Sequence, residues 1–185
     1  MRIITGTARG TKLKTLAGND TRPTTEICKE GVFSAIQFEI HDRKVLDLFG
    51  GCGQMALEAL SRGAERAVIV DSSRAACEII KENATKAKLM KQCRVVTADW
   101  KEYIRGASGK EQFDLVILDP PYQEGILDEV LHRLQYSNLL ANGAIVVCES
   151  DKDGIVTPVD GWACKLYRYG KTFVTIMRLP EEVEE

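Results

Sequence analysis

The stretch KVLDLFGGCGQMALEALSRG, residues 44–63, decides the fold. KVLDLF is a near-continuous apolar run with no polar alternation, the pattern of a strand covered on both faces. Gly50, Gly51 and Gly53 end it in a tight turn, and MALEALSRG follows with strong helix formers on a helical period. Strand, glycine turn and helix in that order open a βαβ crossover, which commits the following chain to a parallel sheet.

Outward from this unit the rhythm repeats. AVIVD (67–71) reads as a second strand, followed by a helix from about Ser73 to Leu89 with Ala76, Ile79, Ile80 and Ala84 on one side. RVVTAD (94–99), FDLVILD (113–119) and AIVVCES (144–150) read as three more strands, and Ile126, Leu127, Val130, Leu131 and Leu134 mark a helix before the last of them. WACKLYRYGKTFVTIMRL has no helical crossover between its extended halves, and Gly170 sits at its turn, so an antiparallel hairpin closes one edge. Upstream, RPTTEICKEGVFSAI predicts a short helix opened by Pro23 and Thr24, and leaves residues 1–20 as strands or an arm. The expectation is an α/β, mainly parallel sheet with helices on both faces and a small N-terminal extension. Residues 1–40 form the extension and residues 41–185 the main domain.

Composition agrees with an ordinary globular protein: 185 residues, 44% hydrophobic and 28% charged. No apolar run approaches the ~18 residues of a membrane span, and MRIITGTARG lacks the apolar core of a secretory signal. The six cysteines contain no CxxC pair and only His41 and His132 stand by to assist a metal, so reduced thiols, no metal and a cytoplasmic location are expected. Charge is unevenly spread. Arg2, Arg9, Lys12, Lys14 and Arg22 face the single acid Asp20 in the first 22 residues, although the whole chain carries −2. A basic arm on an acidic body suits phosphate contacts; a solvated terminus has the same charge pattern.

Open parallel sheets bind ligands beyond the carboxyl ends of their strands. Gly51, Gly53 and Ala56 satisfy the G-x-G-x-x-G/A pattern, and Asp71, 20 residues past Gly51, is placed to accept from ribose hydroxyls. That motif alone admits a nicotinamide dinucleotide or S-adenosylmethionine. Asp47, inside the first strand's end, suits an α-amino group and is unhelpful beside a pyrophosphate. Asp99, after Ala98, is placed to accept from an adenine amine, with an N-cap for the helix beginning WKEYI as the rival role. The fourth strand runs into Asp119-Pro120-Pro121-Tyr122. The prolines end sheet pairing and hold the segment extended, so Asp119 and Tyr122 stand at the ends of a short, stiff link. Exocyclic amines of nucleobases are poor nucleophiles because their lone pair is delocalised into the ring. Asp119 and the Pro120 carbonyl are suitable acceptors for such an NH₂, while Tyr122 offers a face for stacking and for the positive charge developing at nitrogen.

DPPY after the fourth strand, with the FxGxG turn after the first, resembles the amino-methyltransferases of nucleic-acid bases. RIITGTARGTKL, RPTTEICKEGVFSAI, VLDLFGGCGQMALEALSRGA, FDLVILDPPY and YRYGKTFVTI together resemble the bacterial 16S rRNA guanine-N2 methyltransferases of the RsmD type, a class I methyltransferase family with a Rossmann-like fold. The resemblance implies transfer from S-adenosylmethionine to the N2 amine of a guanine in 16S rRNA, within an assembled or assembling small ribosomal subunit. It implies a donor site at Asp47, Phe49, Gly51, Gly53, Asp71, Ser72, Ala98, Asp99 and Asp119, and catalysis by Asp119, Pro120, Pro121 and Tyr122. It also implies that Arg22, Pro23 and Thr24 line the active-site entrance and meet RNA or donor; Tyr122 and, from the charge of the arm, Arg9 and Lys12 complete the expected substrate contacts. This chain departs from the family at Asp71, where Glu is commoner, at Cys52 in place of Ser, and at Gln54-Met55-Ala56 in place of a smaller, Gly-containing segment. Lys29 replaces an Arg, without Arg's bidentate phosphate contact, and Gly31 replaces an Ala.

Three other readings remain at this level: a methyltransferase of adenine N6 or cytosine N4, a nicotinamide oxidoreductase that leaves Asp47 and DPPY unexplained, and a non-catalytic nucleotide-binding module. A DNA enzyme usually carries an added target-recognition region, which is not found here. His41 and His132 are expected at the surface or on helices, Trp100 and Trp162 in packing, and nothing demands more than a monomer.

Overall fold

The computed structural model describes residues 1–16, 26–121, 125–153 and 156–181. After α1 (Glu26–Ala35), strands and helices alternate: β1 (Lys44–Asp47), α2 (Gln54–Ser61), β2 (Arg66–Asp71), α3 (Arg74–Lys86), β3 (Cys93–Thr97), α4 (Trp100–Ala107), β4 (Phe113–Leu118), α5 (Ile126–Gln135) and β5 (Leu140–Ser150). A hairpin of β6 (Ala163–Tyr169) and β7 (Thr172–Arg178) follows. The seven strands form one sheet in the order β3-β2-β1-β4-β5-β7-β6. β1 to β5 are parallel, β7 runs antiparallel between β5 and β6, and Gly170 turns the hairpin at φ +64°. The chain winds outward from β1 to β3 and then returns to β4 on the other side of β1. The C-terminal ends of β1 and β4 therefore flank the switch point where a parallel sheet opens a crevice.

The two sheet faces carry separate apolar layers. Cys28, Val32 and Phe33 of α1, most of α2, and Ile80 and Ala84 of α3 pack on one. Trp100, Tyr103 and Ile104 of α4 and Leu127, Val130, Leu131 and Leu134 of α5 pack on the other. Trp162 is partly buried against this second layer. His41 and His132 are exposed, as the sequence suggests. Among the described residues no helix is long and apolar enough to cross a membrane.

Every residue of α2 is buried, although it covers the sheet with only one face. Its outer face is covered by residues 1–16. Ile3, Ala8 and Leu13 join the same apolar layer, and a lone antiparallel bridge joins Arg2 and Lys12. The polar groups of this junction are paired through Glu58, which is 0% exposed. Its carboxylate accepts the backbone N–H of Ile4 at 2.7 Å and of Thr5 at 3.0 Å, and Arg62 Nε at 2.8 Å. Lys29 Nζ lies 3.5 Å from the same carboxylate and donates to the Arg2 carbonyl at 2.5 Å. Ser61 continues the seam, accepting Thr7 N–H on its carbonyl at 2.8 Å and Ala8 N–H on its hydroxyl at 2.9 Å.

Lys29 therefore corrects the sequence reading. It is 0% exposed and bound to Glu58, so it is a strut of the N-terminal seam and not a weakened phosphate contact. Burial lowers its pKa, and Glu58 opposes that shift. Gly31 has an equally local cause: a Cβ there would stand 2.2 Å from the Tyr169 ring, so α1 approaches β6 closely only because this residue lacks a side chain.

Glu58→Ala would leave the buried Lys29 ammonium without its counter-charge and the Ile4 and Thr5 N–H groups without their acceptor. Equilibrium denaturation should show a loss of about 3–5 kcal/mol. Lys29→Met, which removes the buried charge and leaves Glu58 with Arg62 and both N–H donors, should cost less.

Candidate active site

Four consecutive positions in the sheet end in an acid. Asp71 ends β2, Asp47 ends β1, Asp119 follows β4 and Glu149 is the penultimate residue of β5. Because β2, β1, β4 and β5 are parallel neighbours in that order, all four carboxylates gather at one edge of the sheet.

Asp47 is the most deeply placed, 2% exposed. Its carboxylate accepts the Phe49 backbone N–H at 3.3 Å and is further stabilised by the N–H of Ala56 in the first turn of α2. These donors do not offset burial. Desolvation, reinforced by the charges of Asp119 and Asp71, raises its pKa from 3.8 to about 7. Among the described residues Asp47 has no ion-pair partner. Asp71 braces the glycine turn: one oxygen accepts Gly51 N–H at 2.9 Å and the other Ser73 N–H at 2.8 Å. A carboxylate offers about four lone-pair sites, so both oxygens keep capacity for hydroxyl donors.

Gly51 sits at φ +56° with nothing within 4 Å of where a Cβ would lie, so its face is open. Gly53, at φ +81°, caps α2 without a side-chain hydrogen bond. Phe49 packs its ring 6.3 Å from that of Trp100. Ser72 is exposed, and Ala98 is half-buried with its N–H bonded to the Asp71 carbonyl at 3.1 Å. Asp99 takes the rival role foreseen for it: it is the N-cap of α4, accepting Lys101 N–H at 2.8 Å. Pro120 is buried and Pro121 exposed. Arg9 and Lys12 are exposed on the N-terminal segment and form no ion pair among the described residues. Arg22, Pro23, Thr24 and Tyr122 lie outside the described residues.

Three contributors were missed from sequence. Glu149 obeys the rule that singled out Asp47, Asp71 and Asp119, an acid at the carboxyl end of an apolar strand, and could have been found by it. Cys28 of α1 is buried, and Glu149 and Asp119 lie close enough to push its thiol pKa up beyond the effect of burial. Gln54, at the start of α2, buries its Oε1 without a partner among the described residues. The Cys28 and Gln54 placements depend on tertiary packing and left no local signal.

An open glycine turn, a buried carboxylate lacking a cation and a second carboxylate bracing the turn fit a ligand with positive charge and ribose hydroxyls. They do not suit a pyrophosphate, which the field of Asp47, Asp71 and Asp119 would repel. Among the described residues no cluster of His, Cys, Asp and Glu could hold a metal ion.

Fold and site together define a class I S-adenosylmethionine-dependent methyltransferase. A family model described as "Conserved hypothetical protein 95" matches residues 1–178, and the chain belongs to that family, the RsmD-type methyltransferases. Bacillus subtilis YlbH is 36% identical over 83% of this chain and 84% of its own length. The Escherichia coli protein named "Ribosomal RNA small subunit methyltransferase D" is 32% identical over 88% of this chain and 81% of its own. The solved structure of YhhF from Escherichia coli superposes with a TM-score of 0.87 at 30% identity, covering 98% of this chain and 99% of that one. An RNA methyltransferase from Salinibacter ruber, solved with S-adenosyl-L-homocysteine, shares the fold with a TM-score of 0.68 at 18% identity, over 88% of this chain and 97% of that one.

The raised pKa of Asp47 sets a pH dependence of stability. Between about pH 4 and pH 7 the folded protein holds a proton that the unfolded chain has released, so stability falls as pH rises across this window and the deficit is complete above about 7. Thermal melts of Asp47→Asn should show a higher Tm than wild type at pH 8 and little difference below pH 4.

Proposed function

We propose that the protein transfers a methyl group from S-adenosylmethionine to the exocyclic N2 amine of a guanine in 16S rRNA, in an assembled or assembling small ribosomal subunit. The observation that carries this reading is the position of Asp119-Pro120-Pro121: the motif leaves β4 directly beside Asp47 on β1, at the switch point of the sheet. Membership of the RsmD-type family and the name of the Escherichia coli relative support ribosomal RNA of the small subunit as the substrate class, and guanine N2 is the target that the resemblance of the motifs implies.

In this reading Asp47 holds the donor's ammonium, Asp71 its ribose, and Gly51 and Gly53 allow backbone to approach it. Phe49, Ser72, Ala98 and Asp99 complete the wall, with Asp99 serving as helix cap as well. When bound, S-adenosylmethionine supplies an electrophilic methyl on a positively charged sulfur. Asp119 and the Pro120 carbonyl accept the two hydrogens of the substrate amine and turn its lone pair toward that methyl. Pro121 keeps the link rigid, and Tyr122 stacks on the base. A carbon–nitrogen bond forms as a carbon–sulfur bond breaks, and the nitrogen sheds one proton, for which Asp119 is the nearest proposed acceptor. Alignment of the reacting atoms accounts for much of the acceleration.

Residues 1–40 are proposed to face the substrate and residues 41–185 to carry the chemistry. Arg9, Lys12, Arg22, Pro23 and Thr24 meet RNA, and a monomer acting in the cytoplasm suffices. A basic strip on a protein of net charge −2 suits a particle that already presents the target base.

The direct test is transfer of labelled methyl to small subunits from cells lacking the enzyme, with naked 16S rRNA and duplex DNA alongside. N2-methylguanosine is expected from the particle; N6-methyladenine in DNA, or no product, would refute the assignment. Asp119→Ala should lose at least ~10²-fold in turnover while leaving donor binding largely intact. Arg9→Ala with Lys12→Ala should lower the slope of log affinity against log salt by about 0.7–0.9 per lost phosphate contact; an unchanged slope would remove both residues from the interface.

A further inference from the structure

The donor turn and the N-terminal segment meet at one side chain. Asn83 lies on the inner face of α3 and is 1% exposed. Its Oδ1 accepts the backbone N–H of Lys14 at 2.8 Å. Its Nδ2 donates to the Lys14 carbonyl at 2.9 Å and to the Cys52 carbonyl at 2.9 Å. Both amide hydrogens and the amide oxygen are committed, so the side chain cannot rotate without breaking these three bonds.

Both partners are well placed to matter. Cys52 lies between Gly51 and Gly53, at the centre of the turn proposed to cradle the donor. Lys14 is on the strip that carries Arg9 and Lys12, and two residues further on the chain enters 17–25, which contains Arg22, Pro23 and Thr24. A softer contact runs in parallel: Cys52 Sγ lies 3.8 Å from Met1 Sδ, and the Met1 carbonyl accepts Leu13 N–H at 3.0 Å. Other links between this strip and α3 do not reach the turn. Lys14 Nζ pairs with Glu82 at 2.7 Å, half-exposed, and Lys86 Nζ donates to the Lys12 carbonyl at 2.7 Å.

We infer that Asn83 is a positioning residue that couples the two substrates, so that donor in the glycine turn and RNA on the N-terminal strip each raise the affinity for the other. This rests on the proposed RNA-facing role of residues 1–40. Each ligand orders one end of a shared hydrogen-bonded unit, and the second to bind finds that unit already ordered. The coupling is reciprocal by thermodynamic linkage.

The test measures retention of labelled S-adenosyl-L-homocysteine with and without saturating small subunits, and subunit binding with and without saturating S-adenosyl-L-homocysteine. Wild type should show one coupling factor from both directions, in the range of about 5–150-fold. Asn83→Ala should bring it to about one. Asn83→Asp keeps the shape and the acceptor for Lys14 but loses both donations, so it should do the same in a well-folded protein. Glu82→Ala should retain the wild-type factor. A merely structural Asn83 would weaken each affinity alone and leave their ratio intact. That result in Asn83→Asp, or a wild-type factor of one in a protein that methylates subunits, would overturn the inference alone. A wild type that binds neither subunits nor rRNA would overturn the functional reading and the coupling with it.

Discussion

The site depends on an electrostatic deficit. Asp47 is buried at the end of β1, with Asp71 and Asp119 at the ends of the strands on either side. Two backbone N–H groups, one of them from the start of α2, only partly compensate, and its pKa rises to about 7. A buried carboxylate with like charges nearby is costly in the free protein. In the proposed reading a bound cation reverses the sign of that arrangement, so the feature that weakens the free protein is the one that would select a positively charged donor over a dinucleotide. The parallel sheet makes this possible, because only parallel neighbours deliver consecutive carboxyl ends to the same edge.

The same economy governs the N-terminal segment. Residues 1–16 share an apolar layer with α2 and are held by hydrogen bonds to buried polar side chains: Glu58 and Lys29 at one end, Asn83 at the other. The basic strip proposed to meet RNA is thus tied through Asn83 to the glycine turn proposed to hold the donor.

Much of this was legible in the sequence because the deciding signals are local. Continuous apolar strands, glycine turns and acids at strand ends identified β1 to β5, and Gly170 marked the hairpin. Asp47, Asp71 and Asp119 were found by their position in those runs. What escaped depends on pairs far apart in the chain. Glu58 and Asn83 are polar residues on apolar helical stripes, and nothing nearby reveals that their partners lie 53 and 69 residues away at Thr5 and Lys14. Lys29 read as a weakened phosphate contact for the same reason, and Gly31 is explained only by Tyr169 on β6. Asp99 was ambiguous because an N-cap and a ligand acceptor call for the same residue type.

In the proposed site the donor's positive charge relieves Asp47. Calorimetric titration of S-adenosyl-L-homocysteine, whose ammonium would meet that carboxylate, near pH 7 in buffers of different ionisation enthalpy tests it directly. A carboxyl half-protonated before binding and ionised after it should release about half a proton per site, and Asp47→Asn should abolish that release. Binding that releases no proton in the wild type, or the same amount in the variant, would contradict the account.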